Sequence, residues 1–254
     1  MAWSLGSGLE DKVVIVTGAC GGIGRAVANA FALAGARVLA TDLDQPVLDE
    51  LIDALPGGGH IGIALNIVDA HSRDRLVMLA TEQMGGIYAL AHTAALLIRR
   101  KNLDLVTEDD WDSQMDTNLK ATFFLSRQVA NAMSPHGEGR IILFTSQSWW
   151  TGGFGGSSVY AASKGGIVSL SRSLARNYGS AGITVNTVSP GQINTSMLLT
   201  DLDPAVYEKM RTETPLGYVG EPEDVAGVVV FLASRHARYI SGATINVSGG
   251  YLMY

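Results

Sequence analysis

Tyr160 and Lys164 stand four residues apart in the stretch Tyr160-Ala161-Ala162-Ser163-Lys164. On a helix that spacing sets the two side chains one above the other on one face. Free tyrosine titrates near pH ~10 and is a poor acid or base at neutral pH. A lysine ammonium beside it favours the phenolate and lowers that value. A shift of ~3 units takes roughly 4 kcal/mol of differential stabilisation, within reach of a partly buried cation. The pair therefore suits proton transfer. The same spacing also describes an ordinary helix-surface contact, so the rest of the chain has to decide.

A second group of residues lies upstream. Val13-Val14-Ile15-Val16 reads as a strand buried on both faces, and Thr17-Gly18-Ala19-Cys20-Gly21-Gly22-Ile23-Gly24 follows at once. A helical pattern runs from Ile23 to Ala34, with Gly35 at its end, and Arg37 to Thr41 is a second strand that leads into Asp42. In such a turn Gly18 permits the tight reversal, Gly22 admits a pyrophosphate and Gly24 lets the helix pack on the sheet. The helix N-terminus, with Ile23 in its first turn, then holds the phosphates. Asp42 suits the two ribose hydroxyls of an adenosine and repels a 2′-phosphate, which favours NAD over NADP. Cys20 reads as a small packing residue or as a redox-sensitive thiol.

The alternation continues along the chain. Strands are expected over residues 60–65, 87–92, 141–144, 184–188 and 243–247, and helices over 47–55, 70–84, 107–133, 159–178 and 223–232. Asp110 stands in a capping-box position after Thr107. The segment 190–214 reads as irregular or weakly helical and as a lid over substrate. The expected architecture is α/β: a three-layer, doubly wound, parallel seven-stranded sheet (a Rossmann fold) in a single domain over residues 1–254.

Composition narrows the function. With 47% hydrophobic and 17% charged residues the chain builds a large core and is not disordered. A net charge of −6 and no basic run argue against nucleic acid. The single cysteine excludes an intrachain disulfide, the five histidines show no metal-ligand spacing, and no apolar window is long enough for a membrane span. A cytoplasmic protein without a metal is the expectation.

Together these motifs resemble the short-chain dehydrogenase/reductase family from Val13 to Gly250: Thr17-Gly18-x-x-x-Gly22-x-Gly24, Asn118, a serine before Tyr160-x-x-x-Lys164, Ser189-Pro190-Gly191 with Thr195, and Asn246-Val247-Ser248-Gly249-Gly250. The resemblance implies that Tyr160 is the catalytic acid/base, that Lys164 lowers its pKa and bonds the nicotinamide ribose, and that Asn118 holds a relay water. It implies that Pro190, Ile193 and Thr195 meet the nicotinamide end, and that Asn66, Ile67 and His92 border the cofactor. The substrate-polarising serine usually lies thirteen residues before the tyrosine, where this chain has Gln147; Ser146 is the choice, with Ser148 as the alternative. The usual Asn-Asn-Ala-Gly after strand four is His92-Thr93-Ala94-Ala95 here, and His92 reads as a structural histidine or a new base. The family is commonly tetrameric, so a homotetramer is expected.

Ligands in such sheets lie beyond the carboxyl ends of the strands. The segments reaching that edge bring Ser148, Trp149, Trp150, Phe154, Met197 and Leu198 to a largely apolar pocket. Arg99 and Arg100 either grip an anion at its rim or are solvated surface charges. The leading function is hydride transfer between NAD(H) and a secondary alcohol or ketone, such as a sugar, polyol or cyclic alcohol. The alternatives are a 3-oxoacyl-type carbonyl reductase, expected to use NADPH, and a non-catalytic NAD(H)-binding regulator.

Overall fold

β-Branched runs too apolar for an exposed face become the middle of a sheet. β1 (Val13–Thr17) is buried at every position, and Val14 and Val16 face one layer of helices while Val13 and Ile15 face the other. The computed structural model describes residues 4–153, 155–200 and 202–254; Phe154, named above as a pocket residue, lies outside them.

The elements follow in alternation: α1 (Gly22–Leu33), β2 (Arg37–Asp42), α2 (Gln45–Ala54), β3 (Ile61–Ala64), α3 (Ala70–Met78), β4 (Ala89–His92), α4 (Glu108–Met115), α5 (Ala121–Met133) and β5 (Gly139–Phe144). Then come α6 (Ser148–Thr151), α7 (Ser158–Tyr178), β6 (Ile183–Pro190), α8 (Ser196–Leu199), α9 (Pro204–Glu213), α10 (Pro222–Ala233) and β7 (Thr244–Val247). All seven strands are parallel in the order β3-β2-β1-β4-β5-β6-β7. The order reverses between β1 and β4, which opens a crevice at their carboxyl ends.

One core holds Val27 and Phe31 of α1 and Val229 and Val230 of α10 against that sheet. The other holds Leu125 and Val129 of α5 and Ile167 and Leu174 of α7. The long helix bearing Tyr160 and Lys164 is thus bolted to the sheet by its own apolar stripe.

Three local features differ from the sequence pattern. The expected helix over 107–133 carries a π-helical stretch at Asp116–Lys120, which turns Asn118 inward. The segment 190–214 contains α8 and α9, the latter started by the Asp203 side chain accepting from Ala205 N and by Pro204 in its first turn. β6 runs longer than the expected 184–188, because both of its edges are paired as far as the Phe144 and Pro190 rows. The capping box of α4 is formed as expected, Thr107 Oγ1 accepting from Asp110 N and Asp110 Oδ2 from Thr107 N, each at 3.1 Å.

Candidate active site

Strand ends and the first turn of α7 meet at one point. Lys164 is 3% exposed and its Nζ donates to the Phe144 carbonyl at 2.9 Å, the last carbonyl of β5. Thr145 Oγ1 donates back to the Lys164 carbonyl at 2.7 Å. The strand and the helix are thereby locked in register around the Tyr160 side chain. Lys164 Nζ lies 5.4 Å from the centre of the Tyr160 ring.

The loop leaving β5 stays paired with β6, through Thr145 N to Val188 O and Gln147 N to Pro190 O. That pairing turns Ser146 towards Tyr160, close enough for its hydroxyl to pull the Tyr160 pKa down. Ser148 sits one turn on, at the start of α6, and its buried Oγ meets no partner. Of the two candidate serines, the structure brings Ser146 to the tyrosine.

Burial pushes the Tyr160 hydroxyl up to about 12, against the opposing pull of the Ser146 hydroxyl and then of the Arg99 charge. The Lys164 ammonium is spent on the Phe144 carbonyl and stands over the ring, and its own burial depresses it to about 8. Desolvation sets the direction of both shifts.

Asn118 is 1% exposed. Its Nδ2 donates to the Leu96 carbonyl at 2.8 Å and to Ser163 Oγ at 3.1 Å, while its Oδ1 accepts from Leu96 N at 2.8 Å. Ser163 Oγ in turn donates to the Tyr160 carbonyl at 2.7 Å. The side chain clamps the loop after β4 to the helix that carries the tyrosine.

The glycine turn is equally close-packed. Gly18 has φ +65°, and a Cβ there would lie 2.7 Å from Ala94 Cα. A Cβ at Gly24 would lie 2.0 Å from the Gly18 oxygen, and one at Gly22 would lie 2.8 Å from the Thr195 methyl. The N-cap of α1 is Gly21, with no capping side chain, so the first-turn N–H groups are left for an anion. Asp42 ends β2 beside this turn, Oδ2 accepting from Cys20 N and Oδ1 from Leu43 N, both at 2.8 Å. These residues fit the phosphates and adenosine ribose of a dinucleotide. Cys20 packs against the core, and burial, reinforced by Asp42, pushes its thiol up to about 11, as expected of a packing residue rather than a reactive one.

His92 and Thr93 account for the departure after β4. Thr17 Oγ1 is 2.8 Å from His92 Nδ1, and Thr93 Oγ1 donates to the Thr17 carbonyl at 2.6 Å. They tie β4 to β1 just below the turn. Burial, then the Lys164 charge, depresses His92 to about 3, so it is neutral at physiological pH and buried from the crevice. Ala95 is tolerated in place of glycine because its φ is not positive.

The remaining expected residues are spread around the crevice. Asn66 is exposed and accepts from Val68 N, while Ile67 is buried. Pro190 closes β6, Ile193 bridges to Gly220, and Thr195 lies against Gly22. Met197 and Leu198 lie on α8, with Met197 exposed. Trp149 is half-buried and Trp150 is exposed. Tyr254 packs edge-on against Trp149 at 5.1 Å and tilts over Trp150 at 5.6 Å. Neither that contact nor the use of the Phe144 carbonyl has a local sequence signal. Arg100 is exposed and paired: it forms a two-pronged ion pair with Asp110, Nε to Oδ2 at 2.7 Å and Nη2 to Oδ1 at 2.6 Å.

A family model described as enoyl-(acyl carrier protein) reductase matches residues 18–252. The 3-oxoacyl-(acyl-carrier-protein) reductase of Vibrio cholerae is 39% identical over 250 residues, covering 96% of this chain and 99% of that protein. The chain belongs to the short-chain dehydrogenase/reductase family. The (3R)-3-hydroxyacyl-CoA dehydrogenase of Mus musculus is 35% identical, covering 96% of this chain and 98% of its own. A crystal structure of a putative gluconate dehydrogenase from Agrobacterium tumefaciens superposes with a TM-score of 0.93 at 27% identity, covering 99% of this chain and 100% of that one. The protein is an oxidoreductase that transfers hydride between a nicotinamide cofactor and an alcohol or ketone. Among the described residues, no helix is long and apolar enough to cross a membrane.

Proposed function

We propose that the cofactor is NAD(H) and that the reaction is oxidation of a secondary alcohol, or the reverse, at the carboxyl edge of β4, β5 and β6. The observation that carries the cofactor choice is Asp42, whose carboxylate is held at the glycine turn by Cys20 N and Leu43 N. A fixed negative charge there accepts ribose hydroxyls and repels a 2′-phosphate.

When bound, the nicotinamide supplies the hydride acceptor or donor. Tyr160 takes the alcohol proton, and Ser146 beside it holds the same substrate oxygen. Lys164, fixed by the Phe144 carbonyl, supplies the positive charge beneath the ring. Asn118 keeps Tyr160, Ser163 and the Leu96 loop in register and marks the route for proton exchange. Gly18, Gly22, Ile23 and Gly24 hold the pyrophosphate; Pro190, Ile193 and Thr195 border the nicotinamide end; Asn66 and Ile67 wall the adenine. Residues 190–214 act as the lid, with Met197 and Leu198 facing substrate along with Trp149 and Trp150.

The working unit is a homotetramer in the cytoplasm. Supporting the assembly, Trp111 and Phe123 on α4 and α5 are exposed, and a Cβ at Gly165 of α7 would meet nothing within 4 Å. Light scattering that shows only monomer overturns that part.

The deciding experiment uses Tyr160→Phe and the cofactor pair. The variant should lose roughly 10²- to 10⁴-fold in turnover. It should keep the NAD-induced rise in melting temperature. Equal or better kcat/KM with NADP than with NAD would refute the Asp42 argument.

A further inference from the structure

Two adjacent arginines leave β4, and the fold treats them differently. Arg100 is committed: its guanidinium is paired two-pronged with Asp110, and its backbone N donates to the Gly156 carbonyl at 3.0 Å. Arg99 has no carboxylate within ion-pair distance among the described residues. Its one hydrogen bond runs from Nη1 to the Met197 carbonyl at 3.3 Å, on α8. That contact spans the mouth of the site, from the loop after β4 to the proposed lid. The guanidinium is also near enough to the Tyr160 hydroxyl to pull its pKa down.

An exposed guanidinium at the rim of the site, with only a carbonyl for company, suits an anion.

We propose that the substrate is a hydroxy acid, or the matching oxo acid, and that Arg99 pairs with its carboxylate while Tyr160 and Ser146 hold the reacting oxygen. This rests on the reading of Tyr160 and Ser146 given above, and it narrows that reading from alcohols in general to anionic ones. Arg99 joins substrate charge to the lid: a carboxylate at the guanidinium sits where the Met197 carbonyl now accepts. The structural relative described as a putative gluconate dehydrogenase is in keeping with a polyhydroxy acid.

The test is a panel of matched pairs assayed with NAD: D-gluconate against sorbitol, and 3-hydroxybutyrate against 1,3-butanediol. Binding is followed in parallel by the melting temperature of the NAD-saturated protein with each compound. The wild type should prefer at least one acid over its neutral partner by about 10- to 100-fold in kcat/KM, the range of a charge-assisted hydrogen bond. Arg99→Gln should remove that preference, chiefly through KM, and Arg99→Lys should restore part of it. An unchanged acid-to-neutral ratio in Arg99→Gln overturns the proposal. So does a wild type that neither binds nor oxidises any acid in the panel. So does efficient reduction of an acetoacetyl thioester irrespective of Arg99. If the NAD-induced stabilisation is also missing, the cofactor reading fails with it; if that persists, only the substrate class is wrong.

Discussion

Replacing Asn118 with alanine separates two roles that the sequence alone runs together. As a water-holding relay residue, Asn118 would affect turnover and little else. In the structure its side chain makes three hydrogen bonds, two with the Leu96 peptide and one with Ser163 Oγ, and it is 1% exposed. Each such bond contributes about 1 kcal/mol net, so losing all three removes about 3 kcal/mol. For a chain of this size about 1 kcal/mol moves the melting temperature by about 2–4 °C, which predicts a fall of about 6–12 °C. The measurement is thermal unfolding by circular dichroism beside steady-state NAD reduction. Turnover should fall as well, because the freed loop carries Leu96 to Arg100 and the freed Ser163 no longer ties Asn118 to the Tyr160 turn. A variant that melts within about 2 °C of the wild type while losing turnover refutes the clamp and leaves a purely chemical role.

Other outcomes follow from single contacts. Gly24→Ala puts a methyl 2.0 Å from the Gly18 oxygen, backbone against backbone. It should cost about 1–3 kcal/mol or more and abolish the NAD-induced thermal shift, read in the same melting assay. Cys20, with its thiol pushed up to about 11, should resist alkylation by iodoacetamide at pH 8 in the folded protein and react on unfolding; rapid labelling of the native chain would contradict its packing role. Lys164, depressed from 10.5 to about 8 by burial, is charged in both folded and unfolded chains below that value. Between about 8 and 10.5 the unfolded chain binds the extra proton, so this residue's contribution to stability rises with pH and is lost as pH falls through about 8. Lys164→Met should therefore lose ground to the wild type by up to about 3 kcal/mol across that window, measured by urea unfolding from pH 7 to 10. Tyr160, raised to about 12, acts with the opposite sign above its ordinary value of 10, which marks the upper end of the useful range.

The layered fold was legible because strands buried on both faces and helices with one apolar stripe leave periodic signals in a chain. The glycine turn was legible for a different reason: Gly18 needs its positive φ, and Gly24 has no room for a methyl, so residue type reports geometry directly. Tyr160 and Lys164 share a face of α7 by spacing alone. What spacing could not decide was which serine meets the tyrosine. The pairing of Thr145 and Gln147 with β6 turns Ser146 towards Tyr160 and carries Ser148 into α6. Nor could it weigh burial, which raises the Tyr160 pKa and depresses that of Lys164. The different fates of Arg99 and Arg100 depend on where α4 places Asp110, ten residues away from Arg100 in the chain but in contact with it in space. Local sequence determined the elements and the residue types of the site. Long-range packing decided the partners, because hydrogen bonds and desolvation depend on neighbours that the chain brings together only when it folds.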